Sequence, residues 1–181
     1  YIIVQQPSPE VTASLPLYEK QGVKARVIVH ERALEQIKAL QISFDFFIIN
    51  DEQSKVSLKS GRELFFIETP YLHSYAAIIS YDAKTKSLFS SVLFGADPFK
   101  WDLFAGRFYR LAMMSFHERL MPGNDVIRPV MEMLLKIDIE MIAPHKGSII
   151  KENIPKYIRI LRDLECGIFV GGHCSGGVSF F

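Results

Sequence analysis

The sequence predicts an α/β domain with mixed sheets and helices on their outer faces. Short β-branched and aromatic runs alternate with segments whose apolar residues recur at helical spacing. One pair of runs, residues 76–81 and 87–90, flanks the polar turn Asp82-Ala-Lys-Thr-Lys86, which makes an antiparallel hairpin and rules out a purely parallel sheet. The chain has 181 residues, 49% hydrophobic and 23% charged, enough to bury one sizeable core.

The elements follow in order. Residues 1–4, Tyr-Ile-Ile-Val, read as a buried strand that runs into the polar turn Gln5-Gln-Pro-Ser-Pro9. Residues 12–20 form a short helix with Thr12 as its N-cap and Gly22 just beyond its end. Residues 24–29 are a second β-branched strand. In residues 31–40, Ala33, Leu34, Ile37 and Leu40 share a helical face, with His30 at the strand-to-helix turn. Residues 44–49 are a strand that stops at Asn50-Asp51. Residues 54–60 alternate, with Val56 and Leu58 on one side, and residues 64–67 are another buried strand. A long aromatic-rich helix spans 103–120 and breaks at Pro122-Gly-Asn-Asp125, where Asp125 caps a helix over 126–135. A strand at 140–143 and an amphipathic helix at 154–164, with Pro155 in its first turn, complete the pattern. After Cys166 the composition turns glycine-rich. The expected division is therefore a domain over 1–167 and a tail or linker over 168–181.

Composition excludes several classes. A formal net charge of +1 with scattered Lys and Arg gives no basic stripe, so neither nucleic acid nor an anionic membrane is expected as partner. No apolar run approaches the roughly 18 residues of a membrane span, and no signal-peptide pattern opens the chain. Two cysteines, Cys166 and Cys174, do not make a disulfide framework, which points to a cytoplasmic setting. No Ser-His-Asp order, phosphate loop or nucleotide fingerprint appears.

Four segments carry more specific information: Gln5-Gln-Pro-Ser-Pro-Glu-Val-Thr-Ala-Ser-Leu15, Glu68-Thr-Pro-Tyr-Leu-His73, Leu88-Phe-Ser-Ser-Val-Leu-Phe-Gly-Ala96 and Ile142-Ala-Pro-His-Lys-Gly-Ser148. In this order and spacing the chain resembles the metallo-β-lactamase fold, an αββα sandwich. It is most similar to the branch holding the flavodiiron proteins and oxygen-binding di-iron sensor domains. The helix end Phe116-His-Glu-Arg-Leu-Met-Pro122 and Asp138-Ile-Glu-Met-Ile-Ala-Pro144 extend the resemblance to about Gly167. In that family several strands precede the point where this chain opens. The resemblance therefore implies an N-terminally incomplete fold, its exposed edge covered by a homodimer mate, another partner chain or further sequence.

The resemblance also implies where ligands would lie. The family's His-x-Glu-x-Asp-His motif falls on Gln6-x-Ser8-x-Glu10-Val11. Its next histidine falls on His73, its bridging carboxylate on Val92, and its last histidine on Lys146, with His145 one position early. Gln6 and Ser8 are poor ligands for iron or zinc, and Val11 and Val92 offer no donor. His73 alone matches, and Glu10 keeps an acid one methylene longer. Five losses predict no tight dinuclear site. Lys146 is then expected to stand in for lost cationic charge by pairing with Glu10.

Three functions follow from the resemblance. The first is a non-catalytic sensory or scaffolding domain without metal, joined to a C-terminal signalling output domain. The second is a metalloprotein with one iron or zinc on His73, Glu10 and a shifted His145, water completing the shell for oxygen binding or hydrolysis. The third, an oxygen or nitric oxide reductase, needs two irons and a flavin partner that the sequence does not supply. Elsewhere, His117 reads as a buried helical histidine, His173-Cys174 as at most an adventitious pair of ligands. Phe94, Phe99, Trp101, Phe104, Phe108 and Tyr109 read either as a core-facing cluster or as a stacking wall for a flavin or haem.

Overall fold

The computed structural model describes residues 1–97 and 102–167. The glycine-rich tail with His173-Cys174, and Phe99 and Trp101 of the aromatic cluster, lie outside these residues. Two sheets face each other. The first contains β1 (Ile2–Val4), β2 (Arg26–His30) and β3 (Asp45–Ile49), all parallel, in the order β1-β2-β3. The second contains β4 (Lys55–Ser57), β5 (Glu63–Glu68), β6 (Ile78–Asp82), β7 (Ser87–Phe89) and β8 (Met141–Ala143), in chain order. It is antiparallel from β4 to β7, and β8 joins β7 in parallel.

Strand alternation builds the layers, because successive side chains point to opposite faces. In β2, Val27 and Val29 pack outward with Leu15 and Ile37, from the helices α2 (Leu15–Lys20) and α3 (Leu34–Lys38), whereas Ile28 points inward. Ile28 meets Ile49, Val56, Phe66 and Ile78 between the two sheets. In the second sheet, Ile67 and Ile79 alternate with Phe66 and Ile78 and face the opposite way. There they meet the helices α4 (Tyr109–Leu120), α5 (Asn124–Leu134) and α6 (Ile154–Arg162). The result is helix, sheet, sheet, helix, the expected sandwich. Among the described residues no helix is long and apolar enough to cross a membrane.

Several local expectations need correction. The first helix is split into α1 (Pro9–Thr12) and α2. Thr12 therefore ends a helical turn instead of capping one, and its hydroxyl donates back to the Ser8 carbonyl at 3.0 Å. The aromatic helix starts at Tyr109, six residues later than the periodicity suggests, because the Leu103 carbonyl and the Ala105 N–H bond to Ile149 and Phe104 runs beside it. Gly123 occupies the cap position of α5, so Asp125 lies in its first turn, where its charge suits the helix dipole.

Candidate functional site

The site lies at the ends of the strands, where four loops meet. Gln5, at the end of β1, ties the sheets together: its carbonyl accepts from the Ile78 N–H at 2.8 Å, and its side chain donates to Ser80 Oγ and the Phe89 carbonyl at 3.1 and 2.7 Å. This sets the start of the loop that carries Gln6, Ser8 and Glu10. His73 sits in the left-handed region at φ 72°, as does Tyr71 at 65°. Such a backbone costs a non-glycine residue about 1–2 kcal/mol. It brings the imidazole to Gln6: Nδ1 donates to Gln6 Oε1 at 3.1 Å, and Gln6 Nε2 continues to Ser8 Oγ at 3.3 Å.

The loop after β7 and the loop after β8 support each other. The His145 N–H donates to the Ser91 carbonyl at 2.7 Å, and the Ala96 N–H to the Lys146 carbonyl at 3.3 Å. Gly95 makes this approach possible, since a Cβ there would lie 2.8 Å from the carbonyl oxygens of both Lys146 and Val92. Ser91 and Phe94 also adopt positive φ, 55° and 62°. Strained non-glycine positions thus ring the site.

In this register Lys146 faces Glu10, and Nζ lies 2.6 Å from Oε2. The expected pairing is present, with the two side chains 47% and 64% exposed. Lys146 acts on Glu10 by hydrogen bond and charge and holds its carboxyl below the usual range. Partial burial lowers the His73 imidazole below its ordinary value; Glu10 pulls it up and Lys146 pushes it further down. Gln6, Ser8, Glu10, His73 and Lys146 are therefore brought together. Val92 is buried in the core beneath α4 to α6, and Val11 packs against the core of the first sheet.

His145 is the exception. It lines a separate cavity of about 490 Å³ between the sheets, with Ile3, Gln5, Leu64, Asp82 and Phe89. The register shift that would bring it to His73 and Glu10 does not occur, because the bonds to Ser91 and Ala96 lock the loop. Among the described residues no three His, Cys, Asp or Glu side chains gather into a group that could hold a metal ion, so the three-ligand arrangement of His73, Glu10 and His145 is not assembled. The donors present do not fit a di-iron pair: one carboxylate, one imidazole, an amide, a hydroxyl and a lysine.

His117 plays a structural part. Its Nε2 accepts from the Phe94 N–H at 3.2 Å, so Nδ1 carries the proton and donates to the Met113 carbonyl at 2.7 Å. Burial pushes this ring down to about 4. It anchors the Phe94 loop to α4, a role that no spacing in the sequence signals. Phe94 and Tyr109 are core residues, whereas Phe104 and Phe108 are 46% and 71% exposed, so the aromatic cluster is divided.

The architecture and loop arrangement are those of a metallo-β-lactamase-like domain. A model of the ODP family of beta lactamases matches residues 1–147, and the chain belongs to that family. It is 31% identical over 140 residues to an uncharacterised protein of Methanocaldococcus jannaschii, covering 74% of this chain and 35% of that protein. The chain thus spans about a third of that relative's length. The chemotaxis sensor ODP, solved as a peroxy diiron species and, from T. denticola, in an apo state, superposes with a TM-score of 0.82 at 24% identity. The match covers 92% of this chain and, for the peroxy species, 71% of the sensor. The flavodiiron protein from Giardia intestinalis superposes at 0.73 with 20% identity, over 89% of this chain and 41% of its own.

Proposed function

We propose that this chain is a sensory or scaffolding domain that keeps the oxygen-binding di-iron scaffold and works without a di-iron centre. The Lys146–Glu10 pair carries this reading. A di-iron site brings two divalent cations together and needs several anionic or imidazole donors to compensate them. At the positions where the resemblance places those donors, Gln6, Ser8 and Val92 are uncharged, and the single carboxylate, Glu10, is already matched by the Lys146 ammonium. The pocket is neutral with no metal in it. Two divalent ions would add four positive charges beside a lysine.

The strained loops around Tyr71, His73, Ser91 and Phe94 support a retained role for the pocket, since such backbone persists where the surroundings hold it in place. The role is binding or docking: among the described residues, none in the pocket is arranged as nucleophile and base. A partner chain or second copy along the free edge of β1, and a signalling output domain beyond the C-terminal tail, complete the proposal. The relative that is a chemotaxis sensor supports that setting.

The test is the metal content of protein produced with iron and zinc supplied and purified without chelator, beside His73→Ala. Below about 0.1 metal per chain in both is the expected result. One or two metals per chain, lost on His73→Ala, would overturn the proposal and show a surviving metalloprotein, with the single-metal reading favoured at a stoichiometry near one.

A further inference from the structure

A second site lies away from the Lys146–Glu10 pair, where the segment before α4 meets the start of α6. A cavity of about 350 Å³ is lined by Arg107, Arg110 and Lys156, with Glu152, Asn153 and Tyr157 between them. We propose that this cavity binds a phosphate dianion, as free phosphate or as the phosphomonoester of a small metabolite.

Charge is the main argument. Three cations against one carboxylate leave the lining at +2, which matches the charge of −1.5 to about −2 on a phosphomonoester near neutral pH. Several basic side chains elsewhere are paired with acids: Lys86 with Asp138 and Glu140, Arg119 with Asp97, and Arg128 and Arg162 with Asp163. Arg107, Arg110 and Lys156 have no ion pair among the described residues. Like charges gathered in a concavity repel one another and attract an anion, because the walls focus their field.

The polar groups suit the same ligand. The Asn153 backbone is left-handed at φ 55° and its side chain makes no capping bond to α6, which leaves the amide available. Arg110 and Glu152 both act on the Tyr157 hydroxyl, with opposite sign, which places all three around one space. The Arg107 guanidinium lies 5.7 Å from the centre of the Phe108 ring, which holds it at the rim. Two guanidinium forks and an ammonium are the usual recognition set for phosphate oxygens. Ala105, Ile160 and the Tyr157 ring supply an apolar wall for an organic body. The volume falls within the range of small-molecule sites, about 300–1,000 Å³.

Calorimetric titration of the intact chain with inorganic phosphate, 5′-AMP and adenosine tests this. Saturable binding of AMP or phosphate is expected, none of adenosine, with affinity falling as salt is raised. AMP tighter than phosphate identifies a phosphomonoester with its organic body against Tyr157, and equal affinity identifies free phosphate. Arg110→Ala/Lys156→Ala should weaken binding about tenfold or more with an unchanged melting temperature, since both residues are exposed. Glu152→Gln, which removes the one negative charge, should tighten it about twofold or more. No binding of either phosphate probe at millimolar concentration, or binding indifferent to all three substitutions, overturns the proposal.

Discussion

His73 senses two opposite charges, and substitutions there separate their contributions. Removing the ammonium with Lys146→Ala should raise the His73 pKa; removing the carboxylate with Glu10→Gln should lower it. Imidazole chemical shifts followed through a pH titration read both directions, and shifts of the same sign would contradict the geometry. The pair itself is exposed, so salt should weaken its effect on His73. His117 lies at the other extreme. The unfolded chain protonates this ring below about 6.5, the folded chain only below about 4. Its contribution is complete above pH 6.5 and is lost as pH falls from there through 4, by about 3 kcal/mol in all. Denaturant unfolding at a series of pH values should show that decline in the wild type and a shallower one in His117→Gln.

At the scale of elements, the loop after β8 depends on Gly147. Its φ is 114°, and a Cβ there would collide with the Tyr109 hydroxyl. Tyr109 cannot retreat freely, because that hydroxyl donates to the Phe94 carbonyl at 2.7 Å. Gly147→Ala should therefore destabilise by about 2–4 kcal/mol. It should also loosen the register that holds Lys146 against Glu10, which the His73 titration would report as a shift upward. The same loop explains why His145 is not beside His73: two backbone bonds, to Ser91 and from Ala96, decide which of two adjacent side chains faces the pocket.

Across the whole molecule, cooperativity rests on the layer between the sheets, where Ile28 is fully buried against residues of both. Ile28→Ala should cost about 2–5 kcal/mol, by lost burial and an unfilled cavity. A fall in the midpoint of chemical unfolding with an unchanged slope would confirm that the sandwich unfolds as a unit. Much of this organisation was legible in the sequence. The β-branched run at 24–29, the apolar run at 64–67, helical spacing in 154–164, and the hairpin turn at 82–86 are local signals, carried by residue type, side-chain period and turn chemistry. The early start assigned to α4 was not legible, because the pairing of residues 103–105 with Ile149 joins segments far apart in the chain.

The site divides the same way. That Gln6, Ser8, Val11 and Val92 are poor or impossible ligands in any conformation was written in the sequence. So was the charge that could balance Glu10. That Lys146 and not His145 reaches the pocket was decided by tertiary structure alone, because a one-residue register depends on bonds between distant loops. The buried clamp of His117 on Phe94 and the gathering of Arg107, Arg110 and Lys156 at one cavity have the same origin. Residue type determines the chemistry a side chain can offer, and only the packed chain determines which side chains meet.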